Sequence, residues 1–369
     1  MTYVERILAS AKPEELDRPV LSQDHASHVV CLALKGHTRL AADHLLHKEM
    51  AGYLEETVGN VIRQLNVVFS KALLEETSGK GLAICARVYD VLVNTALNLF
   101  GLEGKIVGFS DLEVGRTLSN LTQSLESLES LERKGIFGGG CGEALVAKAV
   151  ISNILSEMKK VMEGFYRPPG SMVAYAAKQI EKSISEQRVM GSFLGSARQQ
   201  IQENIYYRMS EAGICKFGND YALGLRWLRH LGFVQVSTNP SLAAIAYDDD
   251  PSQWEGCREE NLCPDFRTLA QEKPEWSRDP EAYGDEMAAY ATEVSIWRNL
   301  TVFRPIAVAS DMRHGMISLQ LNPSIADNYE ASLRSALELY SDAQEFLRKY
   351  DAYLLWGYSE NIERGRPNI

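Results

Sequence analysis

Gly232-Phe233-Val234-Gln235-Val236-Ser237-Thr238-Asn239-Pro240-Ser241-Leu242 is the one place in the chain where a strand-like run ends in a row of small hydrogen-bonding side chains. The apolar residues stop at Ser-Thr-Asn-Pro-Ser and give way to Leu-Ala-Ala-Ile-Ala, which is compatible with a helix. Pro240 falls where a helix tolerates it, in the first turn. The stretch therefore reads as strand, turn and helix. Polar side chains at the carboxyl end of such a strand are where α/β folds place their sites.

Working outward, Ile214-Cys215-Lys216-Phe217 reads as an earlier strand, Gly218-Asn219-Asp220 as a turn and Tyr221 to Leu231 as a helix, which makes a β-α-β unit with the opening stretch. Downstream, Asp248 to Gly284 is polar, holds Cys257, Cys263 and several prolines, and reads as a surface insertion. A helix near Asp285 to Asn299 leads to a third strand, Gly315 to Leu321. A helix from Ser324 to about Tyr350 follows, and the apolar run Ala352-Tyr353-Leu354-Leu355-Trp356 is expected to be a fourth strand. Ile362 to Ile369 reads as an interrupted loop or helix.

Upstream, residues 1–210 read as helix after helix. Ser22 to Lys35 ends at Gly36; a segment from about Thr38 places Met50, Leu54, Val58, Val61, Leu65 and Phe69 at helical intervals. Leu82 to Phe100 forms a third helix. Ser110-Asp111-Leu112-Glu113 has the spacing of a capping box, and Leu118, Leu121, Leu125 and Leu128 fall on one stripe behind it. Gly138 to Glu143 lacks the Gly-Lys-Ser/Thr ending of a phosphate loop and reads as a hinge between helices.

The chain has 369 residues and a formal net charge of -11, with 38 Lys plus Arg against 49 Asp plus Glu. Two domains are expected at this length. The acidic balance argues against a nucleic-acid partner. The longest apolar segment, Leu82 to Leu102, carries Arg87 and Asp90, so no membrane partner is expected and the protein is placed in the cytoplasm. The six cysteines show no framework spacing, which fits reduced thiols.

The motif Val236-Ser237-Thr238-Asn239-Pro240-Ser241-Leu242 resembles the T-T-N-P-S-L at the end of the second strand of transaldolases, the phosphosugar-handling branch of the class I aldolases. The resemblance covers about residues 213–361. It implies a fold of the α plus α/β kind: an all-helical domain over 1–210, then over 211–369 a (β/α) barrel segment of TIM type, incomplete at about four strands, carrying the 248–284 insertion. It also implies a phosphorylated sugar as substrate, a lysine Schiff base as the reactive group, and neither metal nor organic cofactor. Carried over residue by residue, Ser237, Asn239 and Ser241 become substrate-binding positions and Asp220 the proton carrier at carbon-carbon cleavage.

Two positions depart from that pattern. Gln320 stands where the family carries a Glu that works through a water; an amide orients a water but cannot take its proton. The fourth-strand alignment puts Trp356 where the Schiff-base lysine is expected, leaving Lys216 as the lysine nearest the site. An enzyme of transaldolase type is therefore set against a rival: a non-catalytic binding or scaffolding protein whose helical domain recognises a partner. A four-strand segment leaves open edges, so further chain or a second copy is expected to complete it. Five of seven histidines fall between residues 25 and 47, with His25/His28 and His44/His47 each spaced by three. No Glu-x-x-His accompanies them, so half-exposed histidines near helix ends are expected there and no metal.

Overall fold

A computed structural model describes residues 2–16, 24–74, 79–134, 145–164, 170–255, 266–358 and 364–369. Helices dominate, with 72% of the described residues helical and 5% in strands. The first region runs α1 (Tyr3–Ser10), α2 (His25–Leu34), α3 (Thr38–His44), α4 (Leu54–Leu74), α5 (Gly79–Phe100), α6 (Glu103–Val107), α7 (Asp111–Arg133), α8 (Leu145–Lys160), α9 (Met172–Ser183), α10 (Val189–Gln202) and α11 (Ile205–Glu211). The second runs β1 (Phe217–Asn219), α12 (Leu225–His230), β2 (Phe233–Thr238), α13 (Pro240–Asp249), α14 (Phe266–Glu272), α15 (Pro274–Arg278), α16 (Gly284–Ala309), β3 (Met316–Leu319) and α17 (Tyr329–Leu354).

The helical region follows its hydrophobic spacing. Leu54, Val58, Val61, Leu65 and Phe69 are buried on one stripe of α4, as are Leu121, Leu125 and Leu128 on α7. The expected single helix from Thr38 is two helices, because residues 45–53 turn through a short 3-10 segment at Lys48–Met50. Ser110 Oγ accepts from the Glu113 amide at 3.2 Å, but the Glu113 carboxylate accepts from the Leu54 amide at 3.0 Å instead of reaching back. The cap thus also fixes where α4 begins. Helix α5 is buried on nearly every side and is the axis of the bundle. It is long and apolar enough to cross a membrane, and most of its apolar stretch is enclosed by the other helices.

The sheet corrects the barrel expectation. Among the described residues there are three parallel strands in the order β1-β2-β3, not four strands of a TIM-type barrel. Their register pairs Gln235 with Met316, Val236 with Ile317 and Ser237 with Ser318. Val236 and Ile317 are buried on the face that carries α16, whereas Gln235 and Ser318 on the opposite face are exposed. Gly232 enters β2 with φ of +89°, and a Cβ there would come within 2.7 Å of both Leu102 and Ser210, so the turn between α12 and β2 requires glycine.

The run expected as a fourth strand, Ala352 to Trp356, is instead the last turn of α17 and the turn after it. Leu339, Ala343, Phe346, Leu347, Tyr350 and Leu354 are buried at helical intervals, so the apolar run continues a helical stripe. What meets β3 is the chain end: Ile317 N–H donates to Asn368 O at 2.7 Å, and Asn368 Nδ2 donates to Gly315 O at 2.8 Å. The 248–284 segment is partly helical and, among the described residues, mostly exposed or half-buried; Trp276 is buried in a local ladder with Trp254, Phe266 and Tyr290. Cys257, Cys263 and Gly138–Glu143 lie outside the described residues.

One continuous apolar core joins both regions. Buried charge crosses the same boundary. Arg229 of α12 donates to Asp43 of α3 at 2.9 Å, to Glu103 of α6 at 2.9 Å, to Asn98 of α5 at 2.7 Å and to Val302 O of α16 at 2.5 Å. Arg226 also bonds Asp43 at 2.9 Å. Burial would raise the Asp43 carboxyl, but the two guanidinium groups outweigh it and bring the pKa to about 2. Asp43→Ala leaves Arg229 buried and short of charge, and is expected to cost about 3–5 kcal/mol in guanidinium unfolding at pH 7. Glu14→Ala, which removes an exposed pair with Arg87 at 3.7 Å, should cost less than about 1 kcal/mol in the same measurement.

Candidate functional site

All three strands end at one place. Asp220 follows β1, Thr238 closes β2 with Asn239 after it, and Ser318, Leu319 and Gln320 finish β3. These residues, with Ser237 and Leu242, line an open cleft of about 570 Å³. A parallel sheet makes this convergence automatic, because every strand presents its carboxyl end on the same side.

Ser237 Oγ donates to Asp220 Oδ1 at 2.6 Å, which ties the first strand end to the second. Asn239 is the N-cap of α13, and its Oδ1 accepts from the Leu242 amide at 2.9 Å. The cap uses only the carbonyl side of the amide. The cleft also lies at the N-terminus of the ten-residue α13, whose dipole favours ligand oxygens and negative charge. Thr238 is 5% exposed, and among the described residues its Oγ1 has no hydrogen-bond partner.

Of the positions expected from sequence, Asp220, Ser237, Asn239 and Gln320 are brought together in the cleft wall. Ser241 is not; it is exposed on the first turn of α13. Ser318 and Thr238 were not singled out. The register signal for Ser318 was present, since it lies opposite Ser237 on the same polar face. Lys216 precedes β1, at the amino ends of the strands, where its charge acts on His314 ahead of β3. It is therefore at the wrong end of the sheet to attack a ligand in the cleft, and among the described residues no lysine lines that wall. Trp356 does not replace a lysine on a strand; it stacks on His28 at a ring distance of 4.8 Å, at the far end of α17.

A second cleft of about 600 Å³ shares Leu319 and Gln320 with the first and is walled by Pro240, Asp285, Thr292, Glu293, Asn322 and Ser335. Burial and the carboxylate of Asp342 push Glu293 up to about 7, against the pull of Lys273. Glu293, in the wall of this second cleft, is thus poised to change charge near neutral pH.

The histidines also differ from expectation. His28 and His44 are fully buried and His47 nearly so, and with His25 they form one cluster against Trp356 and Tyr358. Among the described residues no group of three His, Cys, Asp or Glu side chains is arranged to hold a metal ion. No family model, curated protein or solved structure matches the chain.

Asn239→Ala removes the α13 cap and is expected to cost about 1 kcal/mol, whereas Asn239→Asp keeps the acceptor and the stability; thermal melts at pH 7 separate the two. For Glu293 the folded-state pKa lies above the ordinary value, so its contribution to stability falls as pH rises from about 4.5 to about 7. Glu293→Gln should therefore gain on the order of 3 kcal/mol at pH 8 and far less at pH 4.5, read by urea unfolding.

Proposed function

We propose that the cleft at the carboxyl ends of β1, β2 and β3 binds a small phosphorylated keto-sugar fragment, in the manner of the transaldolases that the Ser237-to-Leu242 motif resembles. The observation that carries this reading is the convergence of Asp220, Ser237, Asn239 and Gln320, from three separate strand ends, on one wall. In it, the Asn239 Nδ2 amide and the hydroxyls of Ser237 and Thr238 hold the ligand's hydroxyl and carbonyl oxygens, Asp220 carries a proton through its bond with Ser237, and Gln320 orients a water. The α13 N-terminus favours the anionic end of the ligand.

A second reading is favoured by one specific observation, the absence of lysine from the cleft wall among the described residues. An amine nucleophile is what Schiff-base chemistry requires. Without one, the chain holds the sugar and does not turn it over, as a binding or scaffolding protein would.

Incubation with fructose 6-phosphate and borohydride, followed by mass spectrometry, separates the readings. A reduced three-carbon adduct on a lysine is the outcome for the enzyme. Binding of the sugar phosphate by calorimetry with no adduct is the outcome for the binder. Asn239→Asp should keep the fold yet lose at least about tenfold in affinity, because a carboxylate replaces the donor amide and repels phosphate. If wild-type protein neither binds nor forms an adduct, both readings fall.

A further inference from the structure

Four imidazoles meet the end of α17 in a way that the cleft does not use. His28 Nε2 donates to Tyr353 O at 2.8 Å and His44 Nδ1 donates to Leu354 O at 2.6 Å, so each imidazole is pinned by a backbone carbonyl. These carbonyls belong to the last turn of a 26-residue helix, where carbonyls outrun the helix's own amides. Two imidazoles from α2 and α3 therefore cap α17 from outside. Tyr358 OH donates to His44 O at 2.7 Å, its ring stacks on His25 and on His47, and Trp356 stacks on His28. Gly357 holds φ at +79°, and a Cβ there would come within 3.0 Å of His25, so the turn is fitted closely against the rings.

We propose that this cluster is an acid-sensitive latch that fastens the end of α17 and residues 355–358 to α2 and α3 while its imidazoles are neutral, and releases them in mild acid. Its geometry leaves no room for added protons. His28 already donates through Nε2, and among the described residues its buried Nδ1 has no acceptor to receive a second N–H. His44 donates through Nδ1, and its Nε2 faces His25 Nδ1 at 3.2 Å, a contact that one proton satisfies and two disrupt. His47 Nδ1 accepts from the Glu49 amide at 3.2 Å, which a protonated nitrogen cannot do.

On α2, the capping carboxylate Asp24 favours a proton on His25, and so does Glu49 from the segment after α3. Lys48 disfavours one on His47. From α17, the carboxylate one turn back, Asp351, is fully occupied by Arg304 and the Gly365 amide. The dipole at the α17 C-terminus favours cations. Burial outweighs these pulls: it leads the lowering of all four imidazoles, with His47 brought to about 4 and His44 well below its ordinary value.

The direction of the pH effect follows. Each folded-state pKa lies below the unfolded value, so the stabilising contribution is complete above about pH 6.5 and is lost as pH falls from there towards about 4. At pH 5.5 the opening constant rises about tenfold for each imidazole that titrates freely when released. The tail beyond the latch borders β3 through Asn368, so release loosens the strand that supplies Ser318 and Gln320 to the cleft.

The test uses the full chain. Hydrogen exchange at pH 7.5 and 5.5, corrected for intrinsic rates, should show protection lost selectively in residues 350–358 and 25–47. Far-UV circular dichroism should stay unchanged. The double variant His28→Gln and His44→Asn keeps an N–H at each donating position without a titratable ring, and should lower the pH dependence of exchange at 350–358 by at least about tenfold. Retention of the full pH dependence in that variant overturns the latch. So does simultaneous loss of protection across α4, α5 and α7 in wild type, which signals global acid unfolding. Should the double variant fail to fold, tryptophan fluorescence decides: the wild-type signal minus that of Trp356→Phe must change between pH 7 and 5, and a flat difference overturns the proposal. Retention of one equivalent of zinc after gel filtration at pH 7.5, lost in His28→Gln, would also overturn it by making the rings metal ligands.

Discussion

Arg229 is the residue on which the relation between bundle and sheet depends. It lies on a six-residue helix between β1 and β2, is 1% exposed, and draws acceptors from α3, α5, α6 and α16. A guanidinium in that position cannot lose its charge, so every arrangement of these helices that leaves it short of acceptors is costly. Apolar packing between the same helices would tolerate sliding or rotation. The five directed donors of one arginine do not, and they fix where β2 begins relative to the bundle axis α5. His230, next in sequence, adds a bond from Nδ1 to Glu103 at 2.5 Å and holds the same anchor from a second direction.

A second buried pair repeats the device on helix α16. Arg304 of α16 meets Asp351 of α17 at 2.5 Å and donates to Arg366 O, while the Gly365 amide donates to the same Asp351 carboxylate. Helix α16 is thus tied at Val302 O to Arg229 and at Arg304 to α17 and the tail. Because α16 covers the buried face of β2 and β3, the two clusters together set the plane of the sheet. The cleft inherits its geometry from them, although neither arginine lines it.

This explains what the sequence revealed and what it hid. Helices α4 and α7 were legible because one apolar stripe recurs every three or four residues, and β2 was legible because an apolar run stops at a row of polar residues. Gathering Asp220, Ser237, Asn239 and Gln320 required only that the strands be parallel. The five apolar residues Ala352–Trp356 taken alone fit a strand, but the preceding buried positions 339, 343, 346, 347 and 350 set a helical period that runs into them. The histidine cluster was hidden for another reason. Spacings of three place His25 with His28 and His44 with His47, but only the packing of α17 against α2 and α3 could show that they meet Trp356 and Tyr358, more than 300 residues away.

Register, finally, decides what kind of surface the sheet offers. Strand side chains alternate between faces, so β2 and β3 present Gln235, Ser237 and Ser318 on one side and Val236 and Ile317 on the other. Ser237 opposite Ser318 places two hydroxyls side by side, with Asp220 bonded to the first. A slip of one residue in either strand would turn an apolar side chain into the cleft and a serine into the core beneath α16. Both consequences are unfavourable, so the packing that stabilises the sheet also enforces the polar wall. A site held this way is fixed by the core behind it more than by the loops around it, and Gly315, whose N–H donates to Val234 O at 2.6 Å, locks the start of β3 to β2 before the register can drift.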